Sequence, residues 1–321
     1  MGNGSPPSRS LDAGRPVRAG VVGVGGIGRN HARIYAALPG VELAAVHDTD
    51  AARAAALAAE FGTQAVGSVA ELAALVDVAS VAVPTVAHRA VGEELLRAGR
   101  HVLVEKPIAA THDDARALVA LAREQGLVLQ VGHIERYNPV LRELEAKLGR
   151  PRFIEASRLS PFPGRSTDIG VVLDLMIHDL DVILHLVDAP VTSIDAVGVP
   201  VLTVREDIAN ARLRFANGCV ANVTASRISS ERVRKIRVFQ EDTYLSLDYM
   251  EQSGYLMRRG PTGLVRDEVE VEKREPLAVE LAEFVACARE GRRPRVTGQE
   301  GAAALDLAVE ITRLIEANAS S

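Results

Sequence analysis

Between Val171 and Val187 the sequence VVLDLMIHDLDVILHLV sets Asp174, His178, Asp181 and His185 at i, i+4, i+7 and i+11. At 3.6 residues per turn this spacing puts all four on one narrow face of a helix. Most other positions are apolar, so the helix is expected to be largely buried, with its polar stripe lining a cleft. A histidine in such a cleft has a pKa near working pH and can act as a general base. A carboxylate one turn earlier can orient it or hydrogen-bond a substrate hydroxyl. His178 and Asp174 are therefore the candidate acid–base pair, beside two other readings of the stripe. One is a satisfied structural network; the other is a metal site, for which neither an HExxH pattern nor a third clustered histidine is present, so no metal is expected.

A second signal is Gly23-Val24-Gly25-Gly26-Ile27-Gly28, a GxGxxG sequence that follows the strand-like VRAGVV and opens the helical RNHARIYAAL. Asp48 lies 20 residues beyond Gly28, at the end of the next strand-like run. In that context Gly23 permits a tight turn, Gly25 lets backbone approach a pyrophosphate, and Gly28 allows close helix packing, with Gly26 and Ile27 at the helix N-terminus offering N–H donors to the anion. Asp48 is expected to accept from the adenosine ribose hydroxyls and to repel a 2′-phosphate, which favours NAD over NADP. Glu105-Lys106-Pro107 follows the strand-like HVLV, where ligands gather in open α/β sheets, and a lysine there can hold a substrate oxygen or simply be an exposed loop residue.

These groups need elements to position them. From Val17 to Val131 short Val/Ala/Leu-rich runs alternate with longer Ala-rich amphipathic stretches, the pattern of βα units on a parallel sheet. Strands are expected at 17–22, 41–46, 78–83, 102–104 and 127–131, with a weak one near Ala65. Ser68-x-x-Glu71 and Thr111-x-x-Asp114 read as helix starts. After Pro151 the pattern becomes β-rich with alternation (209–215, 219–228, 233–239, 244–249), and Asn217-Gly218 signals a hairpin turn. One long helix, 171–187, interrupts this region, and two, near 279–289 and 300–317, close it. The expected fold is α/β plus α+β: a Rossmann doubly wound parallel sheet over 17–132, then a domain over 133–321 built on an open, mostly antiparallel sheet. Residues 1–16, rich in Gly, Ser and Pro, read as a disordered leader without the apolar region of a signal peptide.

Composition narrows the function classes. Lys plus Arg is 37 and Asp plus Glu 42, a net −5, so composition forces no basic face for nucleic acid. Eleven aromatics, none of them Trp, are too few to suggest stacking platforms or membrane belts. Cys219 and Cys287 belong to no CxxC or Cys/His cluster and read as buried reduced thiols, and no apolar run reaches the ~18 residues of a bilayer span. The expectation is a cytoplasmic protein without nucleic-acid or membrane partners. His31 is expected on the solvated side of the first helix and His47 and His101 in structural roles. His88 and His133 follow strand ends on the cofactor side, where lining the site and packing are both open.

GVGGIGRNHAR, VPTVAH ending at His88, EKPI, GHIERYNP from Gly132 to Pro139, DLMIHDLD and PRVTGQEGAAAL occur in that order. With them the chain, from Val17 to Ala317, resembles the Gfo/Idh/MocA family of NAD(P)-dependent sugar and cyclitol oxidoreductases. The resemblance implies a catalytic Lys106 with Asp174 and His178, and cofactor contacts that add Pro84, Thr85, His88, Glu105 and Lys106 to the glycine loop and Asp48. It also implies an oligomerising outer sheet face, hence a homodimer or homotetramer. Met176 stands where many relatives have Gly in D-x-G-x-H, and Glu135-Arg136-Tyr137-Asn138-Pro139 where many have R-R-F-D-P. GHIERYNP with DLMIHDLD is similar to a subgroup acting on nucleotide sugars. That similarity implies NAD-dependent oxidation of the C3 hydroxyl of UDP-N-acetylglucosamine, with Lys106, Asp174, His178, Arg136, Tyr137 and Asn138 toward the substrate. Arg165, in SPFPGRST, offers a guanidinium fork for a diphosphate, and ordinary surface positions are the other reading of Arg136, Tyr137 and Arg165. Oxidation of a free sugar or inositol, and a non-catalytic NAD-binding sensor, are the competing readings.

Overall fold

The structure, a computed structural model, describes residues 11–12, 14–162, 164, 169–261 and 263–319. Most of the expected leader, and Arg165, lie outside the described residues. The chain divides into two compact units, the first closing at His133 and regaining Leu277–Ala302, the second holding Ile134–Pro276 and the chain from Ala303 on.

The first unit carries six parallel strands: β1 (Val17–Val22), β2 (Val41–His47), β3 (Gln64–Ala65), β4 (Val78–Val81), β5 (His101–Glu105) and β6 (Leu129–Gly132). Their order is β3-β2-β1-β4-β5-β6, so the winding reverses between β1 and β4. That reversal opens a crevice beyond the carboxyl ends of the strands, where dinucleotides bind in such sheets. Every residue of β4 is buried, as expected for a strand covered on both faces by helices. The helices are α1 (Gly26–Ala37), α2 (Ala51–Phe61), α3 (Val69–Leu75), α4 (His88–Arg97) and α5 (His112–Gln125). Ser68 Oγ accepts from Glu71 N and Thr111 Oγ1 from Asp114 N, each satisfying a first-turn donor that the helix leaves unmade.

In the second unit α6 (Pro139–Lys147) and β7 (Phe153–Leu159) precede α7 (Ile177–Val187). Then come β8 (Val191–Val199), β9 (Ile208–Phe215), β10 (Val220–Ser226), β11 (Val233–Phe239), β12 (Thr243–Asp248), β13 (Ser253–Gly260) and β14 (Gly263–Val269). They form one sheet, β14-β13-β12-β11-β7-β10-β9-β8, antiparallel at every pairing but β7 with β10. Alternate residues such as Ile154, Ala156, Val223 and Val238 are buried against Ile177, Leu180 and Ile183 of α7. The hairpin at Asn217-Gly218 is a three-residue loop in which Gly218 alone takes a positive φ (+85°), with Phe215 N donating to Cys219 O and Gly218 N to Phe215 O. Only one left-handed residue is needed there, because a type I turn closed by a bulged glycine also matches the strand twist.

Two closing helices follow, α8 (Pro276–Glu290) and α9 (Gly298–Ala319). The sequence reading places both in the second domain. Instead Leu281, Phe284, Val285, Cys287 and Ala288 of α8 join the core built on Val17, Ala19, Val21 and Tyr35, which is why Leu277–Ala302 belongs to the first unit. A helical apolar period reports that a face is buried, not which core receives it.

Candidate active site

In the first unit the glycine loop is built as its spacing requires. Gly23 has φ +85°, and a Cβ on Gly28 would stand 1.8 Å from Gly23 O, so α1 can approach the turn only without one. Over Gly25 and Gly26 a Cβ would meet nothing within 4 Å, leaving an open cradle at the N-terminus of α1. Ile27, the next residue, is 51% exposed. Asp48 stands just past β2; its Oδ2 accepts from Val24 N at 2.8 Å and its Oδ1 from Asp50 N at 2.9 Å, with Arg53 Nη1 3.4 Å away. Burial pushes this carboxyl up, but the two N–H donors and Arg53 outweigh it and hold it below the usual carboxylate range. An anion is thus fixed against the loop.

Glu105 ends β5 and Lys106 follows it, at the carboxyl edge of the sheet. Glu105 Oε1 is 2.9 Å from His31 Nε2. His31 is fully buried, not on the solvated side of α1 as its position suggested, because a carboxylate at the strand end gives its ring a polar partner inside the unit. His88, expected toward the cofactor, is also buried. Its Nδ1 lies 2.9 Å from Pro107 O and its Nε2 2.9 Å from Val83 O, so both ring nitrogens are engaged by the protein. Burial lowers its pKa, and the two carbonyls offset this only in part. Pro84 and Thr85 lie between, at the start of the 3₁₀ turn Thr85–Ala87. His47 and His101 bind Val66 O and Val128 N, in the structural roles read from the sequence.

In the second unit the helix expected over 171–187 has two parts. Residues Val172–Met176 form a π turn, with Ile177 N reaching back to Val172 O, and α7 follows. Asp174 lies in the π turn and His178 in the first turn of α7, both half-buried. Such widened turns recur at functional sites, because they re-aim side chains within one helix. Asp181 is buried with Arg136 at 3.4 Å and His185 meets Glu145 of α6 at 3.0 Å, while Asp174 and His178 lie half-buried toward the N-terminal end of the stripe.

Arg136, Tyr137 and Asn138, expected as substrate contacts, are 1%, 1% and 2% exposed. Asn138 caps α6 through Val140 N and donates to Tyr249 O, and Arg136 meets Asp181. The side chains of Arg136 and Asn138 are thus engaged within the second unit. Behind them Arg158 sits between Asp179 at 2.8 Å and Glu135 at 2.9 Å. Burial lowers the Arg158 pKa, but the two carboxylates outweigh it and raise it, while burial pushes Asp179 up despite Arg158. Sequence reasoning missed Glu206, Asp207 and Arg227, which anchor the start of the π turn. Val171 N donates to Glu206 O, Val172 N to Glu206 Oε1 and Arg227 Nη1 to Ile169 O, while Arg227 Nε pairs with buried Asp207. A carboxylate at a helix N-terminus is favourable, but these residues lie more than 30 positions downstream in a loop without a motif. Among the described residues no cluster of three His, Cys, Asp or Glu could hold a metal, and no helix is long and apolar enough to cross a membrane.

Residues 17–133 match the oxidoreductase family model with an NAD-binding Rossmann fold, and 143–245 match the Gfo/Idh/MocA C-terminal domain. The chain belongs to the Gfo/Idh/MocA oxidoreductase family. It is 42% identical over 308 residues to the UDP-N-acetylglucosamine 3-dehydrogenase of Acidithiobacillus ferrooxidans, covering 94% of this chain and 98% of that one. A solved structure of that enzyme superposes with a TM-score of 0.90 at 41% identity, with the same coverage. A scyllo-inositol 2-dehydrogenase (NAD(+)) of Bacillus subtilis is 26% identical, over 92% of this chain and 93% of that one. NAD is the family cofactor, and the open cradle over Gly25 and Gly26 with the anionic Asp48 beside it fits such a dinucleotide.

Proposed function

We propose that this protein oxidises the C3 hydroxyl of UDP-N-acetylglucosamine to the 3-keto sugar nucleotide. The observation that carries this reading is the near full-length 42% identity to an enzyme of that name, joined to the presence in this chain of Lys106, Asp174 and His178. NAD, when bound, supplies the hydride acceptor. The glycine loop and the α1 N-terminus hold its pyrophosphate, and Asp48 accepts from its ribose. His178 takes the hydroxyl proton as general base. Asp174, one turn earlier, keeps His178 or a neighbouring sugar hydroxyl in register. The Lys106 ammonium stabilises the negative charge that develops on the sugar oxygen as the proton leaves. Two buried free thiols, Cys219 and Cys287, suit a cytosolic setting.

The test is NADH formation across UDP-N-acetylglucosamine, UDP-glucose, free sugars and scyllo-inositol, with the 3-keto product identified by mass. Lys106→Met and His178→Asn are each expected to lower turnover by about 10² or more while NAD affinity holds. Turnover of scyllo-inositol without turnover of the nucleotide sugar would refute the substrate and leave the family.

A further inference from the structure

Two buried histidines of the first unit have no part in the chemistry above, and each holds one neighbour of Lys106. His31, on α1, fixes the side chain of the preceding residue: its Nε2 is 2.9 Å from Glu105 Oε1. The Glu105 carboxylate has little freedom on its other side, since even a Cβ added to Gly132 of β6 would come within 2.9 Å of it. His88, at the start of α4, faces the backbone of the following residue, with Nδ1 2.9 Å from Pro107 O and Nε2 2.9 Å from Val83 O at the exit of β4, so a neutral ring that donates from Nδ1 holds Pro107. We propose that His31 and His88 are positioning residues that bracket Lys106, setting where its ammonium stands. The proposal rests on the catalytic reading of Lys106.

A lysine side chain is long and rotamer-rich, so where its ammonium stands depends on where its backbone starts. What the fold can fix is the path of residues 105 to 107, and misplacing a reacting group by ~1 Å can cost on the order of 10² in rate. Apolar residues would fill both buried positions without the cost of desolvating an imidazole. Instead the two rings meet the residues either side of the lysine. Charge follows the same geometry. Burial pushes the Glu105 carboxyl up, but the His31 hydrogen bond, with the nearby Lys106 charge, outweighs it, so the group beside Lys106 stays anionic.

The two ring nitrogens make the test specific. An asparagine amide reaches about as far as Nδ1, and a glutamine amide about as far as Nε2. His31 acts on Glu105 through Nε2, so His31→Gln should behave like wild type and His31→Asn should not. His88 acts on Pro107 through Nδ1, so His88→Asn should behave like wild type and His88→Gln should not. The damaging member of each pair is expected to lower kcat about tenfold or more, with substrate KM and NAD affinity within about threefold.

A second readout needs neither cofactor nor turnover. The chain has four lysines, Lys106, Lys147, Lys235 and Lys273, so ¹³C-lysine labelling of the cofactor-free protein gives four side-chain signals. In His31→Asn and His88→Gln the Lys106 signal and its titration midpoint should move while the other three stay. Equal behaviour of Asn and Gln at both positions, or an unmoved Lys106 signal, would overturn the proposal. So would failure of all four variants to fold, which would place both histidines simply in the core. Lys106→Met, measured alongside, separates the two readings. Activity retained there refutes the catalytic lysine; activity lost there, with wild-type behaviour in His31→Asn and His88→Gln, refutes only the bracket.

Discussion

Replacing Asp48 with asparagine probes the cofactor half of the site with one atom changed. The carboxylate accepts from Val24 N at 2.8 Å through Oδ2 and from Asp50 N at 2.9 Å through Oδ1. An amide has one oxygen, so one of these N–H groups would face an NH₂ instead of an acceptor. Hydrogen bonds to charged groups contribute roughly 1.5–3 kcal/mol. Losing one unsettles the loop and any ribose hydroxyl that shares the carboxylate. At about 1.4 kcal/mol per factor of ten, NAD should bind about 10- to 100-fold more weakly. NADP should suffer less. Its 2′-phosphate carries about two charges, and each is repelled by the native carboxylate by ~1 kcal/mol at contact in a water-like medium, a penalty the amide removes. Arg53, now 3.4 Å from Asp48, is also released to meet the phosphate. Titration of the purified protein with each dinucleotide by calorimetry gives both constants. NAD affinity within twofold of wild type, with an unchanged NAD to NADP ratio, would show that Asp48 is not the ribose acceptor.

Gly28→Ala should lower NAD affinity more than about tenfold or prevent folding, since its Cβ would stand 1.8 Å from the Gly23 carbonyl oxygen and only a displaced loop relieves that; the same titration reads it. Arg158→Met should cost about 3–5 kcal/mol in denaturant unfolding, because Glu135 and Asp179 would be left buried without their cation. Asp207 gives a pH dependence. Burial pushes its carboxyl up, but Leu202 N, Arg227 and the N–H groups of Thr203 and Val201 outweigh it and hold it well below the usual range. A depressed native pKa means the unfolded chain binds the proton first. Its stabilisation is therefore complete above the unfolded value of about 3.9 and is lost as pH falls below it toward the native value. Unfolding free energies measured between about pH 3 and 7 should fall more steeply below that point in wild type than in Asp207→Asn; parallel curves would exclude the linkage.

Local patterns in the sequence determined the alternation of strands and helices in the first unit, the glycine loop, the helix starts at Ser68 and Thr111, and the presence of Lys106, Asp174 and His178. Each depends on neighbours a few positions away: a two-residue strand period, a 3.6-residue helix period, a glycine where no Cβ fits. The tertiary structure decided what depends on distant partners. His31 reads as a solvated helix residue until β5 brings Glu105 to it, 74 positions away. Arg136 and Asn138 read as ligand contacts until Asp181 and Tyr249 O meet them. The apolar face of α8 was legible, but not that it joins the core of the first unit. The π turn at Val172–Met176 is invisible to periodicity, since its anchors at Glu206 and Arg227 come from loops far along the chain. Periodicity records which side of an element avoids water, whereas a buried polar group is defined by the partner that satisfies it, and only the folded chain supplies that partner.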